Sequence, residues 1–280
     1  MAAAPPLLIV DGDNLAHRAY HSTPKTVVGT AGTPINALVG VIGMITRVWV
    51  EEKPRGIFMA WDTLGVDTYR SKLWPAYQGG RIFEDSIRHQ LELLPQLCRA
   101  FGFGVGKQAG YEADDLMASA TQAEVARGGT VLLFTTDKDS YQLVSDSVTL
   151  LAPKRGTREL DRIGPREVVD RFGVLPEQVP CFKALAGDSS DKIPGAKGIG
   201  PKAAAFLLLR HGALEGVLES WGRPAEAEQV LMFREVVRMR PEVEVVLPKG
   251  PPDWLAGADA LRAIGAANLA DRVATLAELP

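Results

Sequence analysis

Three short apolar runs in this chain each end on an aspartate, and helical stretches separate them. LLIV (7–10) precedes Asp11, GIFMAW (56–61) precedes Asp62, and TVLLFTT (130–136) precedes Asp137. Runs of this length and composition read as buried strands, and SVTLLAP (147–153) reads as a fourth. INALVGVIGMITRVWVEE (35–52) enters behind Pro34, a residue that suits a first helical turn. FEDSIRHQLELLPQLCRAF (83–101) has the period of an amphipathic helix, with a kink expected at Pro95. ADDLMASATQAEVARGG (113–129) ends at glycines, as helices often do. Strand and helix in alternation predict an α/β fold around a mostly parallel sheet.

The rhythm changes near residue 160. Segments 165–172, 176–186, 201–210, 213–220 and 225–239 read as helices, and VEVVL (243–247) reads as a short strand. DALRAIGAANLADRVATL in the tail reads as structural helix. The expected division is a catalytic unit over 1–175, with a lid near 65–90, and a helical subdomain over 176–280.

Composition narrows the setting. The net charge is −3, so no global basic signal marks a nucleic-acid partner. Cys98 and Cys181 lie far apart without metal spacing and read as reduced, buried thiols. The apolar run at the start is too short for a signal peptide or span, and no segment reaches 18 uninterrupted apolar residues. A soluble, cytoplasmic protein with no membrane partner is expected.

The acids carry the chemistry. In open parallel sheets, ligand sites form beyond the carboxyl ends of the strands. Asp11, Asp62 and Asp137 are therefore expected on one edge, with Asp139 beside them in TTDKDSYQL. GYEADD (110–115) crowds Glu112, Asp114 and Asp115 into the opening turn of a helix that follows an apparent strand near 103–108. GDSSD adds Asp188 and Asp191. Carboxylates without a histidine or cysteine cluster suit hard cations such as Mg²⁺ or Mn²⁺. Two such ions about 4 Å apart can clamp both oxygens of a phosphoryl transfer. Setting these nine acids aside leaves 25 of the 34, against 31 Lys and Arg. Acidity confined to one pocket thus masks a basic remainder. A lone Asp after a strand is commonly a turn or cap, and first-turn acids oppose the helix dipole. Five acidic segments together favour a shared site.

A second pattern is basic. KIPGAKGIGPKAAAFLLLRHGAL (192–214) holds no acid, and carries Lys192, Lys197, Lys202 and Arg210. Gly198 and Gly200 make a tight turn into a helix whose free N–H groups can take a phosphate. Such a hairpin grips a nucleic-acid backbone without reading bases; the plain alternative is a loop between packed helices. Between Gly65 and Arg88, Arg70, Lys72 and Arg81 interleave with Tyr69, Trp74 and Tyr77. That mixture suits a strand-binding lid, or a charged surface loop with anchoring aromatics.

VDGDNLAHRAYH, AWD, GYEADD, TTDKDSYQL and LAGDSSDKIPGAKGIGPKAA occur in this order. Together they resemble the bacterial 5′-nuclease family: flap endonucleases and the 5′→3′ exonuclease domain of DNA polymerase I; a stand-alone form is expected. The resemblance spans roughly residues 7 to 220. It implies a PIN-like α/β domain with a helical DNA-binding element, the helix–three-turn–helix. It implies a monomer that cuts DNA at 5′ flaps, nicks or free 5′ ends for replication and repair, using Mg²⁺ or Mn²⁺. By motif, Asp11, Asp62, Glu112, Asp114, Asp115, Asp137, Asp139, Asp188 and Asp191 match its metal-site acids. Asp137, Asp139, Asp188 and Asp191 would hold one ion, and the other five acids a second. Arg18, Arg70, Lys72, Lys192, Lys197, Gly198, Gly200 and Lys202 match DNA-binding positions. Members also bind K⁺ through hairpin carbonyls, here near Ile193, Pro194, Ala196 and Ile199. The lid departs from the pattern. AYQGGR places Gln78 after Tyr77 where the family carries lysine, leaving Gln78 and Arg81 to contact the phosphate.

Two rivals fit parts of the pattern. DGD (11–13) and GDSSD resemble haloacid-dehalogenase-like phosphatases, where Asp11 would be a covalent nucleophile. That reading needs a strand before GDSSD, and CFKALA reads as helix. The third reading is a catalytically weak DNA-binding homologue.

Overall fold

The computed structural model describes residues 4–77, 84–154, 159–221 and 224–278. The chain runs β1 (Leu7–Asp11), α1 (Gly12–Ser22), α2 (Asn36–Glu52), β2 (Gly56–Trp61), α3 (Tyr69–Leu73), α4 (Asp85–Ala100) and β3 (Gly104–Lys107). Then follow α5 (Ala113–Ala126), β4 (Val131–Phe134), a 3₁₀ turn (Asp139–Leu143), β5 (Val148–Pro153) and β6 (Leu160–Ile163). The remainder is helical: α6 (Pro165–Phe172), α7 (Val179–Ala186), α8 (Pro201–His211), α9 (Leu214–Glu219), α10 (Pro224–Val237), α11 (Trp254–Ala263) and α12 (Ala267–Ala274).

The strands form one sheet in the order β3-β2-β1-β4-β5-β6. β1 to β5 are parallel, and β6 pairs antiparallel with β5. β1 lies between β2 and β4 and is buried on both faces, which is why LLIV reads as an unbroken apolar run. Its side chains alternate between faces. Leu7 and Ile9 join Phe58, Leu133 and Leu116 in one core with α7 and α10. Leu8 and Val10 join Ile57, Met59 and Phe134 in a second core with α2, α4, α11 and α12.

The C-terminal helices therefore divide between the faces. The residues of α6 to α10 pack into the first core, while α11 and α12 return to the second. Trp254 of α11 meets Trp49 and Phe101 edge-on, at centroid distances of 5.3 and 5.8 Å.

Three local expectations change, and α4 forms as expected. VEVVL is not a strand. Its Val243 N–H goes to Ser119 Oγ (3.1 Å), and Pro248, which has no N–H, follows directly. LDRI, a short and half-polar segment, forms β6 at the sheet edge. α4 runs through the buried Pro95. Cys98 is buried as expected, but Cys181 is only half-buried, and both are free thiols. Among the described residues, no helix is long and apolar enough to cross a membrane.

Candidate active site

The parallel sheet brings β1, β2 and β4 to a common carboxyl edge, where Asp11, Asp62 and Asp137 emerge. Asp11 closes β1 and caps α1. One of its oxygens accepts the Asn14 N–H (3.0 Å), the other the Thr135 hydroxyl (2.8 Å). Asp62 Oδ1 accepts the Ala113 N–H at the start of α5 (2.7 Å). That contact ties GYEADD to the end of β2. Asp137 Oδ1 accepts the Asp139 N–H (2.9 Å) and so shapes the turn that carries the next acid.

These groups open onto a cleft of about 560 Å³. Its lining holds eight carboxylates: Asp11, Asp13, Asp62, Glu112, Asp114, Asp137, Asp139 and Asp191. Among the described residues lining it there is no lysine or arginine, and the one imidazole is His17. The electrostatics follow. Burial, reinforced by Asp137 and Asp62, pushes Asp11 up to about 7. Burial and the Asp62 charge likewise raise Glu112 to about 7, against the pull of Arg70. Burial, with the Asp137 and Asp11 charges, holds Asp114 well above the ordinary carboxyl range. Asp13 is raised by burial and by Asp62. A cation in the cleft would reverse each of these penalties. The donor set, eight carboxylates with a single imidazole beside them, suits Mg²⁺ or Mn²⁺ rather than a soft metal.

Two of the nine expected acids do not face this cleft. Asp115 is fully buried beneath it and its oxygens are committed. They accept from Arg70 (2.6 and 2.8 Å), the Glu112 N–H (3.0 Å), the Arg240 N–H (2.8 Å) and the Tyr69 hydroxyl (3.1 Å). As placed, Asp115 is a positioning residue. Asp188 turns toward Lys183 Nζ (2.6 Å) and Ser190 N (2.9 Å) and lines a smaller hollow beside Gly187. Burial would raise its carboxyl, but the Lys183 and Ser190 hydrogen bonds hold it below the usual value. Even so, one oxygen each of Asp139, Asp188 and Asp191 lies within 4.8 Å of the others, close enough to share an ion.

Arg70 is likewise displaced from its expected place at a DNA surface. It is 2 % exposed, and besides Asp115 it donates to the Val236 carbonyl (2.9 Å). It joins the short helix α3 to α5 and to the end of α10. Tyr77 is also buried, and its hydroxyl donates to Glu112 Oε2 (2.9 Å). Gln78 and Arg81 lie outside the described residues. Lys72 is exposed, and Arg18 is half-buried, donating to the Lys154 carbonyl (2.9 Å).

The hairpin between α7 and α8 exposes Lys192, Lys197, Gly198, Gly200 and Lys202 together. Gly187 sits at φ 81°, and a Cβ there would lie 2.8 Å from the Pro194 oxygen and 2.9 Å from that of Ile193. Only glycine permits this reversal. Ile193 and Ala196 are buried, and their carbonyls accept from Asp188 N (2.8 Å) and Ile199 N (3.1 Å). Pro194 is exposed and Ile199 half-buried.

Sequence reasoning passed over two residues that line the cleft. Asp13 accepts the Asp62 N–H (2.7 Å). His17 follows it at the i+4 position of α1, on the same helix face. The available signal was that spacing behind a strand-end aspartate.

A doubly covered, mostly parallel sheet with a carboxylate-rich cleft at its carboxyl edge and a basic glycine hairpin beyond it defines a nuclease-like architecture. Comparison with known proteins specifies the family. Residues 6–173 match the model of the 5′-3′ exonuclease N-terminal resolvase-like domain, and residues 174–250 match that of the 5′-3′ exonuclease C-terminal SAM fold. The chain belongs to the 5′-3′ exonuclease family. DNA polymerase I of Mycobacterium leprae is 38 % identical over 249 residues, 86 % of this chain and 27 % of that protein. The thermostable DNA polymerase I of Thermus thermophilus is 33 % identical over 257 residues, 87 % of this chain and 30 % of that protein. The chain thus spans under a third of either polymerase. Solved structures share the fold. The bacteriophage T5 flap endonuclease, in a complex with DNA and metal ions, gives a TM-score of 0.66 at 22 % identity, covering 97 % of this chain and 99 % of that one. Flap endonuclease-1 from Methanococcus jannaschii gives 0.61 at 14 % identity, covering 98 % and 92 %. In this fold CFKALA is α7, so GDSSD follows a helix, which removes the main support for the phosphatase reading.

Proposed function

We propose that this chain is a structure-specific 5′-nuclease that hydrolyses DNA phosphodiesters at 5′ flaps, nicks and free 5′ ends. The observation that carries this reading is the convergence of eight carboxylates on one cleft whose described lining holds no lysine or arginine. Divalent ions bound there, Mg²⁺ or Mn²⁺, would neutralise the phosphate, acidify water and stabilise the leaving oxygen.

The protein's own groups have distinct tasks. Asp11, Asp62, Glu112 and Asp114 would form one side of the cation site and Asp139, Asp188 and Asp191 the other; Asp137, expected with the second group, goes to the first, because its charge acts on Asp11 and Asp114. Tyr77 and Thr68 hold the two oxygens of Glu112, at 2.9 and 3.2 Å, and so fix its rotamer. Asp115 and Arg70 set the start of α5, and with it Glu112 and Asp114. Lys192, Lys197 and Lys202, with the free N–H groups at the start of α8, would hold the duplex backbone away from the cleft. K⁺ on hairpin carbonyls, contacts from Gln78 and Arg81, DNA contacts from Arg18 and Lys72, a monomeric state and a cytoplasmic setting belong to the same proposal. So does a boundary between catalytic and helical units near residue 175.

Three substrates separate the readings: a 5′-labelled flap duplex, a linear single strand and a phosphomonoester, each with Mg²⁺ or EDTA. Metal-dependent flap cleavage that is lost in Asp137→Asn is expected. Phosphate release from the monoester without DNA cutting would contradict the proposal. Tight flap binding with no cutting in either metal would favour a DNA-binding homologue.

A further inference from the structure

One acid of the cleft, Asp139, is already paired with a lysine that lies outside the cleft lining. Lys183 projects from the last turn of α7 and is 8 % exposed. Its ammonium forms ion pairs with Asp139, on the 3₁₀ turn beyond β4, and with Asp188, just past its own helix, at 2.6 Å. These two acids, with Asp191, are the described trio whose oxygens approach closely enough to share an ion. The ammonium therefore sits within the prospective ion position.

We propose that Lys183 is a tethered occupant of the second ion position, which must leave before a divalent ion binds Asp139, Asp188 and Asp191. The inference rests on the metal reading of the cleft given above.

Geometry makes the two occupants exclusive. A divalent ion such as Mg²⁺ needs oxygens at about 2.0–2.1 Å. An ammonium between the same carboxylates fills that volume and adds a like charge in a poorly solvated place. Asp188 shows the consequence. Asp139 and Asp191 line the main cleft, whereas Asp188 is turned aside to Lys183 and Ser190. The three acids are already within reach of a common ion, and Lys183 neutralises two of them. The ion pairs of Lys183 are to Asp139 and Asp188, so it bears on this position and not on the Asp11 side. The two positions should fill in sequence, the Asp11 side first. Lys183 is a positioning residue here, since it acts through the ligands it holds.

The test counts ions and needs no substrate. Metal-free protein is titrated with Mn²⁺, and free Mn²⁺ is followed by electron paramagnetic resonance. The wild-type chain should bind one Mn²⁺ and then a second at least tenfold more weakly. Lys183→Gln, uncharged and able to donate to both carboxylates, should bind the second ion at least tenfold more tightly than wild type. Lys183→Arg should keep the weak second ion, and circular dichroism confirms that each variant is folded. If Lys183→Gln binds the second ion no better than wild type, the inference is wrong while the metal reading stands. If neither protein binds Mn²⁺, both fall. A loss of the second ion in folded Lys183→Gln would also overturn the inference, because Lys183 would then be building the site.

Discussion

Arg70 and Asp115 form a two-point ion pair at 2.6 and 2.8 Å, with Arg70 2 % and Asp115 0 % exposed. Three elements meet at this contact. Arg70 belongs to α3, Asp115 to α5, and the carbonyls and N–H groups of residues 236–240 close around the pair. Tyr69 stacks beneath the Arg240 guanidinium at 3.7 Å and adds its hydroxyl to Asp115. The pair therefore positions Glu112 and Asp114, the acids that face the cleft.

Arg70→Met should destabilise the fold by about 3–5 kcal/mol, since it strands a buried carboxylate. Chemical denaturation measures it. A loss under about 1 kcal/mol would show that water or another donor reaches Asp115.

Without divalent ions, stability should fall as the pH rises through the range 4 to 7. Asp11 and Glu112 have folded-state values near 7, against ordinary values of 3.8 and 4.5. Between those limits the folded protein holds protons that the unfolded chain has released, so raising the pH favours unfolding. Melting in EDTA from pH 5 to 8 should show the decline, and saturating Mn²⁺ should flatten it. A melting temperature that rises with pH in EDTA would contradict the account.

Gly187→Ala should cost about 1–3 kcal/mol and weaken DNA binding together with it. Its φ of 81° and ψ of 162° lie in a region open essentially to glycine alone. The added methyl would press on two carbonyls that shape the hairpin. Melting and flap-duplex binding measure both effects. An unchanged melting temperature would mean that the turn relaxes freely.

Replacing Lys192, Lys197 and Lys202 by alanine together should weaken binding to duplexes of any sequence. If each meets one phosphate, the slope of log affinity against log salt should fall by about 2–3. A salt slope equal to that of wild type would place the duplex elsewhere.

The sequence made the sheet and its acidic edge legible, because strands buried on both faces leave unbroken apolar runs that end at a ligand edge. Asp11, Asp62 and Asp137 were read from this alone. Asp115 was not separable from Glu112 and Asp114, since spacing places all three in one helical turn but cannot say which of them an arginine 45 residues away will take. Arg70 was misplaced for the same reason. It reads as a lid cation until its partner is known. β6 was missed because LDRI is short and half-polar, while VEVVL reads as a strand although its Val243 N–H is spent on a serine. Lys183 gave no signal at all, because its importance depends on the turn that brings Asp139 to the end of α7.

The central claim is that the crowded carboxylates form a divalent-cation site. Calorimetric titration of Mn²⁺ into metal-free protein at pH 7.5 tests it most directly. Saturable binding with release of protons is expected, and its tighter phase should be lost in the Asp11→Asn, Asp114→Asn double variant. No saturable heat, or heat that the double variant leaves unchanged, would contradict the claim.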